Sequence, residues 1–323
     1  MKPPSATNAA PLVVGIDIGG TKTHLRAFRD GEGRIDAGKN LVLPSSEWRS
    51  RDWQEDADRL LELVFRLTAG HPLAAIGIGA HGCDDVPECD SFTAAIAARC
   101  DVPAVVVNDA ELMPWALDLP GAIGLVAGTG SIAVCRSTDQ GMMTAGGWGW
   151  LIGDDGSAAG LVRESARKAA HHLDAGGAPD EPLLRALSAS LSLSALPRLG
   201  SALGTLGNAA AIGAHAPAVF AAAEKGSALA LATIREGGEA LARLVLHLVE
   251  RGAPTAHVVA GGSVIVAQPL LWRAFCEALA GAASGRITPH LFTEKPVEGA
   301  CRLAVSLARS RNAGPSRTAA KLQ

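Results

Sequence analysis

At 323 residues the chain is long enough for two domains, each with its own core. Hydrophobic residues make up 48% and charged residues 19%, which excludes an unfolded chain, and a net charge of −3 offers no basic footprint for nucleic acid or an anionic membrane. No apolar run is long enough to span a bilayer, and Met1–Pro11 lacks the apolar core of a signal peptide, so a cytoplasmic protein is expected, with neither nucleic acid nor membrane as a partner. The six cysteines (83, 89, 100, 135, 276 and 301) form no Cys-x-x-Cys pair and have no His at zinc spacing; they read as reduced thiols, mostly buried.

After a polar leader, residues 1–11, the stretch Val13–Phe28 reads as a buried strand, a Gly19-Gly20 turn and a returning strand. Gly19 and Gly20 are expected to take the positive φ of a tight turn. At its tip stand Asp17, Lys22 and the hydroxyls of Thr21 and Thr23. A plain hairpin needs no such set, whereas a phosphate with its hydrated Mg²⁺ does: backbone N–H groups approach the anion, hydroxyls donate and the carboxylate holds the ion. An ordinary solvent-facing turn is the competing reading of this stretch alone. A third strand is expected near 35–43, an amphipathic helix over 52–69, a glycine-laced strand over 74–80, a polar loop over 81–90, a short helix over 91–99 and a strand over 103–107 that ends in Asn108-Asp109.

The pattern then recurs. Ile123–Cys135 is again strand, turn and strand, here around Gly128-Thr129-Gly130-Ser131, with a return strand near 141–145. Two such hairpins suggest a duplicated domain whose tips face one cleft and grip one polyphosphate. Gly146-Gly147-Trp148-Gly149 and Asp154-Asp155 lead into a helix over 158–173. Residues 182–250 are almost wholly helical, a strand over 256–260 turns at Gly261-Gly262-Ser263 into a helix over 264–281, and a strand over 287–292 and a helix over 297–310 close the chain before a basic tail. Strands alternating with helices in both halves make this an α/β protein with two sheets.

Several of these features carry chemistry. Asp109 closes an apolar strand, where open α/β sheets place their reactions, and a carboxylate there can accept a proton from an attacking hydroxyl; taken alone, a helix cap is the simpler role. Glycines beside the Trp148 indole make a flat wall suited to a sugar, and Asp154 can take its hydroxyls or cap the next helix. Gly261-Gly262-Ser263 suits close backbone approach to a nucleotide, or simply a tight turn.

In this order the motifs resemble the sugar kinase/heat-shock ATPase/actin superfamily and, within it, the N-acetylglucosamine kinase and BadF-type ATPase family, from about Val13 to Leu307. The resemblance implies two similar actin-like, ribonuclease-H-like domains facing a nucleotide cleft: 12–112, and 113–296 enlarged by a helical insertion at 182–250, with the closing helix 297–310 packed back on the first and flexible tails at 1–11 and 311–323. It implies ATP held by Gly19, Gly20, Thr21, Lys22, Thr23, Gly128, Thr129, Gly130, Ser131, Gly261, Gly262 and Ser263, with Mg²⁺ on Asp17 through water. It implies a sugar bound by Ser46, Glu47, Asn108, Asp109, Gly147, Trp148 and Asp154, with Asp109 as the general base. Three positions depart from the family pattern: Ser46-Glu47 where an Asn is usual, Trp150 where His is common and Asp155 where Glu is common.

The expected activity is ATP-dependent phosphorylation of a hexose or amino sugar, glucosamine or N-acetylglucosamine, at the 6-hydroxyl, with the halves closing over the sugar to exclude water. The sugar is the expected partner, and a homodimer the assembly to test. The alternative is a BadF-type ATPase that activates a redox partner; such relatives share an iron–sulfur cluster held by cysteines, and no cysteine here lies in such an arrangement. A sugar-sensing regulator would need a DNA-binding helix-turn-helix, for which the eleven-residue leader has no room.

Overall fold

The computed structural model describes residues 11–31, 34–35, 38–137, 139, 141–283 and 285–312. The chain divides into two units: one takes in the residues up to Pro120, Thr138–Gly141 and Glu294 onward, the other Gly121–Ser137 and Met142–Thr293.

The first unit is built on β1 (Leu12–Ile18), β2 (Lys22–Gly31), β3 (Arg34–Ile35), β4 (Lys39–Pro44), β5 (Leu73–Ala80) and β6 (Ala104–Asn108), in the order β3-β2-β1-β5-β6 with β4 also on β2. β1 runs antiparallel to β2 and parallel to β5, and β5 parallel to β6. The register matters for function. Asp17 lies opposite Gly79 and Ala80 opposite Asn108, so Asp17, His81 and Asp109 all emerge at the carboxyl edge of adjacent strands.

Helix α1 (Trp53–Thr68) starts where the Asp52 carboxylate accepts the N–H groups of Gln54 and Glu55, and it buries Ala57, Leu60 and Val64; Phe65, in the expected apolar stripe, faces solvent instead. Helix α2 (Val86–Ala97) starts five residues before the expected 91, because Asp85 caps it and Pro87 fits its first turn. After α3 (Leu112–Ala116), the closing helix of this unit packs on the β1–β5 face. It can lie that close because a Cβ on Gly15 would come within 2.5 Å of the Cys301 backbone N, and one on Gly77 within 2.5 Å of the Ala300 O.

The second unit repeats the plan with β7 (Ile123–Ala127), β8 (Ser131–Ser137), β9 (Gly141–Gly146), β10 (His257–Gly261) and β11 (Thr288–Leu291), ordered β11-β10-β7-β8-β9. Again the first strand pairs antiparallel with its hairpin partner and parallel with the next strand. Between β9 and β10 lie α4 (Ala158–Asp174), α5 (Pro182–Ser190), α6 (Leu199–Leu206), α7 (Ala209–Gly213), α8 (Ala216–Glu224) and the long α9 (Ala228–Glu250). The single helix expected over 264–281 is two, α10 (Ser263–Ala267) and α11 (Pro269–Ala283), because Pro269 cannot continue a helix through its missing N–H. The closing helix, α12, runs Val297–Asn312, so Arg311 and Asn312 lie in it; the rest of the expected tail, like residues 1–10, falls outside the described residues. Among the described residues no helix is long and apolar enough to cross a membrane.

Candidate active site

In the first unit, the β1–β2 tip closes through a Gly19 N–H bond to the Lys22 O at 3.0 Å. Neither Gly19 nor Gly20 takes the positive φ expected of it. The turn lies against the His81 ring: a Cβ on Gly20 would sit 3.4 Å from its Cδ2, an ordinary contact distance. Thr21 and Lys22 are exposed at the tip, as phosphate ligands should be. Thr23 is not; strand alternation turns it inward, and it is fully buried.

The Thr23 hydroxyl belongs to a chain of bonds whose direction is fixed. Trp48 Nε1–H donates to Thr23 Oγ1 (2.9 Å), and Ser45 Oγ spends its one proton on the Gly19 carbonyl (2.8 Å). The remaining bond, Thr23 to Ser45 at 3.0 Å, therefore has Thr23 as donor. Thr23 thus clamps the turn from inside. Ser46 and Glu47 are exposed in the turn Ser45–Glu47 above this clamp.

Asp17 is buried, and its carboxyl is raised to about 7, first by burial, then by the Asp109 charge, with Lys22 opposing. Two carboxylates at one sheet edge, Asp17 of them buried, fit a hydrated divalent ion there. The sign of the effect on stability follows. Between the ordinary value of 3.8 and about 7 the folded state holds a proton that the unfolded state has lost, so stability falls as pH rises through that window and stays lower above it. Asp17→Asn should therefore melt no differently at pH 4 but be more stable at pH 8, by as much as about 4 kcal/mol, in thermal unfolding without metal or nucleotide.

Asp109 opens a short turn (Asp109–Glu111) capped by Asn108. Asn108 is wholly buried: its Nδ2 donates to the Cys83 O (3.0 Å) and Asp84 Oδ1 (2.9 Å), and its Oδ1 accepts the Ala110 N–H (2.9 Å). Its amide protons are spent on the 81–85 loop, leaving none for a sugar. The Asp109 side chain remains 20% exposed, with Oδ2 3.8 Å from His81 Nδ1. Burial raises its carboxyl, the His81 ring counters this, Asp84 adds to it and Arg49 lowers it. Arg49 also donates through Nη2 to the His81 O at 2.6 Å and lies 3.8 Å from the buried Asp56. Asp84, Arg49 and His81 escaped the sequence reading. For His81 the signal was the rule that picked out Asp109: it follows the last residue of an apolar strand.

In the second unit three of the motifs meet. Asp154, buried and in left-handed backbone (φ 57°), accepts the Ser131 N–H at 3.2 Å, and a Cβ on Gly130 would come 2.9 Å from its Oδ2. Burial raises the Asp154 carboxyl, and the Ser131 N–H is the first of several groups opposing this. The Ser131 hydroxyl donates to the Asp155 O at 3.0 Å, so Ser131 braces the turn, while Thr129 is exposed at its tip. A Cβ on Gly128 would lie 3.5 Å from Ser263 Oγ, which brings the Gly262-Ser263 turn against the hairpin. Gly147 and Gly149 both have positive φ and leave Trp148 75% exposed. Arg163 fastens the loop, bonding Asp155 and the carbonyls of Trp150 and Gly153. A cavity of about 550 Å³ borders this loop, lined by Leu151, Ile152, Asp155, Gly156 and Arg163, and one of about 890 Å³ lies beside α1 in the first unit; neither is lined by a hairpin residue.

Comparison with known proteins bears on this arrangement. Residues 14–301 match the family described as BadF/BadG/BcrA/BcrD ATPase. A stretch of 152 residues, 45% of this chain, is 31% identical to the N-acetylmuramic acid/N-acetylglucosamine kinase of Clostridium acetobutylicum. That match spans 49% of the relative, about half its length. A candidate N-acetylglucosamine kinase structure from Chromobacterium violaceum superposes with a TM-score of 0.62 at 22% identity, over 91% of this chain and 99% of that one. A glucokinase of the ROK family from Streptomyces griseus, solved with glucose and AMPPNP, gives 0.53 at 21% identity, over 93% and 99%. At these identities the superpositions establish a shared two-domain α/β fold.

Proposed function

Because the chain belongs to the BadF/BadG/BcrA/BcrD ATPase family, we propose that it is an ATP-dependent kinase of a hexose or amino sugar, with Asp109 as general base. The observation that carries this reading is the carboxyl edge of the first sheet, where Asp17, His81 and Asp109 emerge side by side from β1, β5 and β6.

Asp109 takes the proton of the sugar hydroxyl, the 6-hydroxyl in this proposal, as the γ-phosphoryl group passes to that oxygen in line. Its burial raises the carboxyl toward neutrality, which strengthens it as a base at working pH. ATP phosphates take backbone and hydroxyl donors from Gly19, Gly20, Thr21 and Lys22 and from Gly128, Thr129 and Gly130; Gly261, Gly262 and Ser263 serve the nucleoside end. Thr23 and Ser131 shape the two turns from within, as Asn108 shapes the Asp109 loop. Mg²⁺ supplies charge neutralisation on the phosphate oxygens when bound, and Asp17 is the carboxylate to hold it through water. Gly147, Trp148 and Asp154 serve the sugar, as do Ser46 and Glu47. Location in the cytoplasm and a homodimeric assembly complete the proposal.

Glu47 makes the proposal specific. Its exposed carboxylate can pair with the ammonium form of a free C2 amine, an ion pair that the uncharged acetamide cannot make. An ADP-release assay over a panel of hexoses and amino sugars should give glucosamine the higher kcat/KM over N-acetylglucosamine. Glu47→Gln should erase that preference, by up to about 1.5–3 kcal/mol, and spare neutral hexoses. Equal kcat/KM for the two amino sugars would remove Glu47 from the site, and ADP release indifferent to every sugar would remove the kinase reading itself.

A further inference from the structure

His81 has a geometry that a loop residue does not need. Its backbone is pinned on both sides: its N–H donates to the Ile18 O at 2.8 Å, extending the β1–β5 ladder, and its carbonyl accepts Arg49 Nη2 at 2.6 Å. Arg49 is itself held, with a side chain only 5% exposed beside the fully buried Asp56, whose Oδ1 takes the Ser50 N–H at 2.6 Å. From this fixed backbone the imidazole projects between two features of the candidate site. Nδ1 lies 3.8 Å from Asp109 Oδ2. The opposite edge covers the hairpin turn, where a Cβ on Gly20 would lie 3.4 Å from Cδ2 and 3.5 Å from Nε2. The side chain is still 48% exposed, so the ring can meet a ligand at the turn.

We propose that His81 is a ligand of the ATP γ-phosphate, donating through Nε2 to an oxygen at the Gly20 turn while Nδ1 faces Asp109. The inference rests on the kinase reading, which puts the transferred group beside Asp109. It adds a residue that none of the phosphate motifs contains. With Asp109 ionised, the imidazolium carries a proton on each nitrogen: Nδ1–H points to the carboxylate and Nε2–H is left for the anion. The other charges around this pair are Asp84 on the same loop, Arg49 and Arg51 on the loop after Trp48, and Asp17 and Lys22 at the hairpin. A neutral imidazole has a single N–H, so it would donate from Nε2 only as the tautomer that leaves Nδ1 without a proton for Asp109.

The test is titration calorimetry of the full chain with ATP and with ADP, both with Mg²⁺, for the unmodified protein, His81→Ala and His81→Gln, with melting curves as the fold control. His81→Ala should weaken ATP by about tenfold or more and ADP by much less, because only ATP carries the γ-phosphate. His81→Gln, which keeps a donor without the charge, should fall between. ATP affinity unchanged in both variants, or lost equally for ATP and ADP, would overturn the assignment while leaving the kinase reading standing. An unmodified protein that binds neither nucleotide would overturn both.

Discussion

Asp109→Asn is expected to keep its affinity for ATP and lose turnover by roughly 10²–10⁴, the usual worth of a positioned general base. The substitution is nearly isosteric, and the turn it opens is capped by the buried Asn108, so the fold should not change. The variant separates two roles. As a base, Asp109 must be lost from kcat; as a cap, from stability. The cap in this structure is Asn108, whose Oδ1 receives the Ala110 N–H, and Asp109 keeps its carboxylate partly exposed beside His81. Nucleotide titration, single-turnover kinetics and a melting curve together decide the matter. A variant with near-normal turnover would end the proposed mechanism.

Gly262→Ala should strongly destabilise the second unit. The residue has φ 110° and ψ 158°, a region essentially closed to side chains, and a Cβ would lie 2.6 Å from the Ala127 O and 2.7 Å from its carbonyl carbon. Both obstacles are backbone and cannot swing aside. Strain and overlap together should cost about 3 kcal/mol or more. Because Ala127 leads directly into the Gly128–Gly130 turn, ATP affinity should fall with stability. Gly281→Ala in α11 is the control: a Cβ there meets nothing within 4 Å, and a helical alanine should be neutral or stabilising by about 0.5–1 kcal/mol. Chemical denaturation of the two variants should give opposite signs, and a Gly262→Ala protein as stable as the parent would show that the turn relaxes freely.

The two sheets were legible in the sequence because apolar runs such as Val13–Ile18 and Ile123–Ala127 end in glycines, and a strand's end is where its chemistry sits. The inside and outside of each hairpin tip were legible in principle but read as one set. Period-two alternation sends Lys22 outward and Thr23 inward, so Thr23 braces the turn that Thr21 and Lys22 present. The start of α2 was obscured because Pro87 resembles a loop signal until Asp85 is recognised as its cap. Arg49 was beyond sequence reading, and His81, just past the end of an apolar strand, carried the same signal as Asp109 and was passed over. Their places depend on the β1–β5 register and on a bond between segments 32 residues apart. Gly20 takes no positive φ, so the tight-turn reason given for a glycine there does not hold.

The most direct measurement is the fate of the γ-phosphoryl group. The protein is incubated with Mg²⁺, γ-labelled ATP and glucosamine or N-acetylglucosamine, and the label is partitioned between sugar phosphate and inorganic phosphate. A sugar kinase puts the label on the sugar, one for each ADP formed, with little release when the sugar is omitted. Label appearing as inorganic phosphate at a rate indifferent to any sugar would contradict the account and point to an ATPase that drives a partner instead.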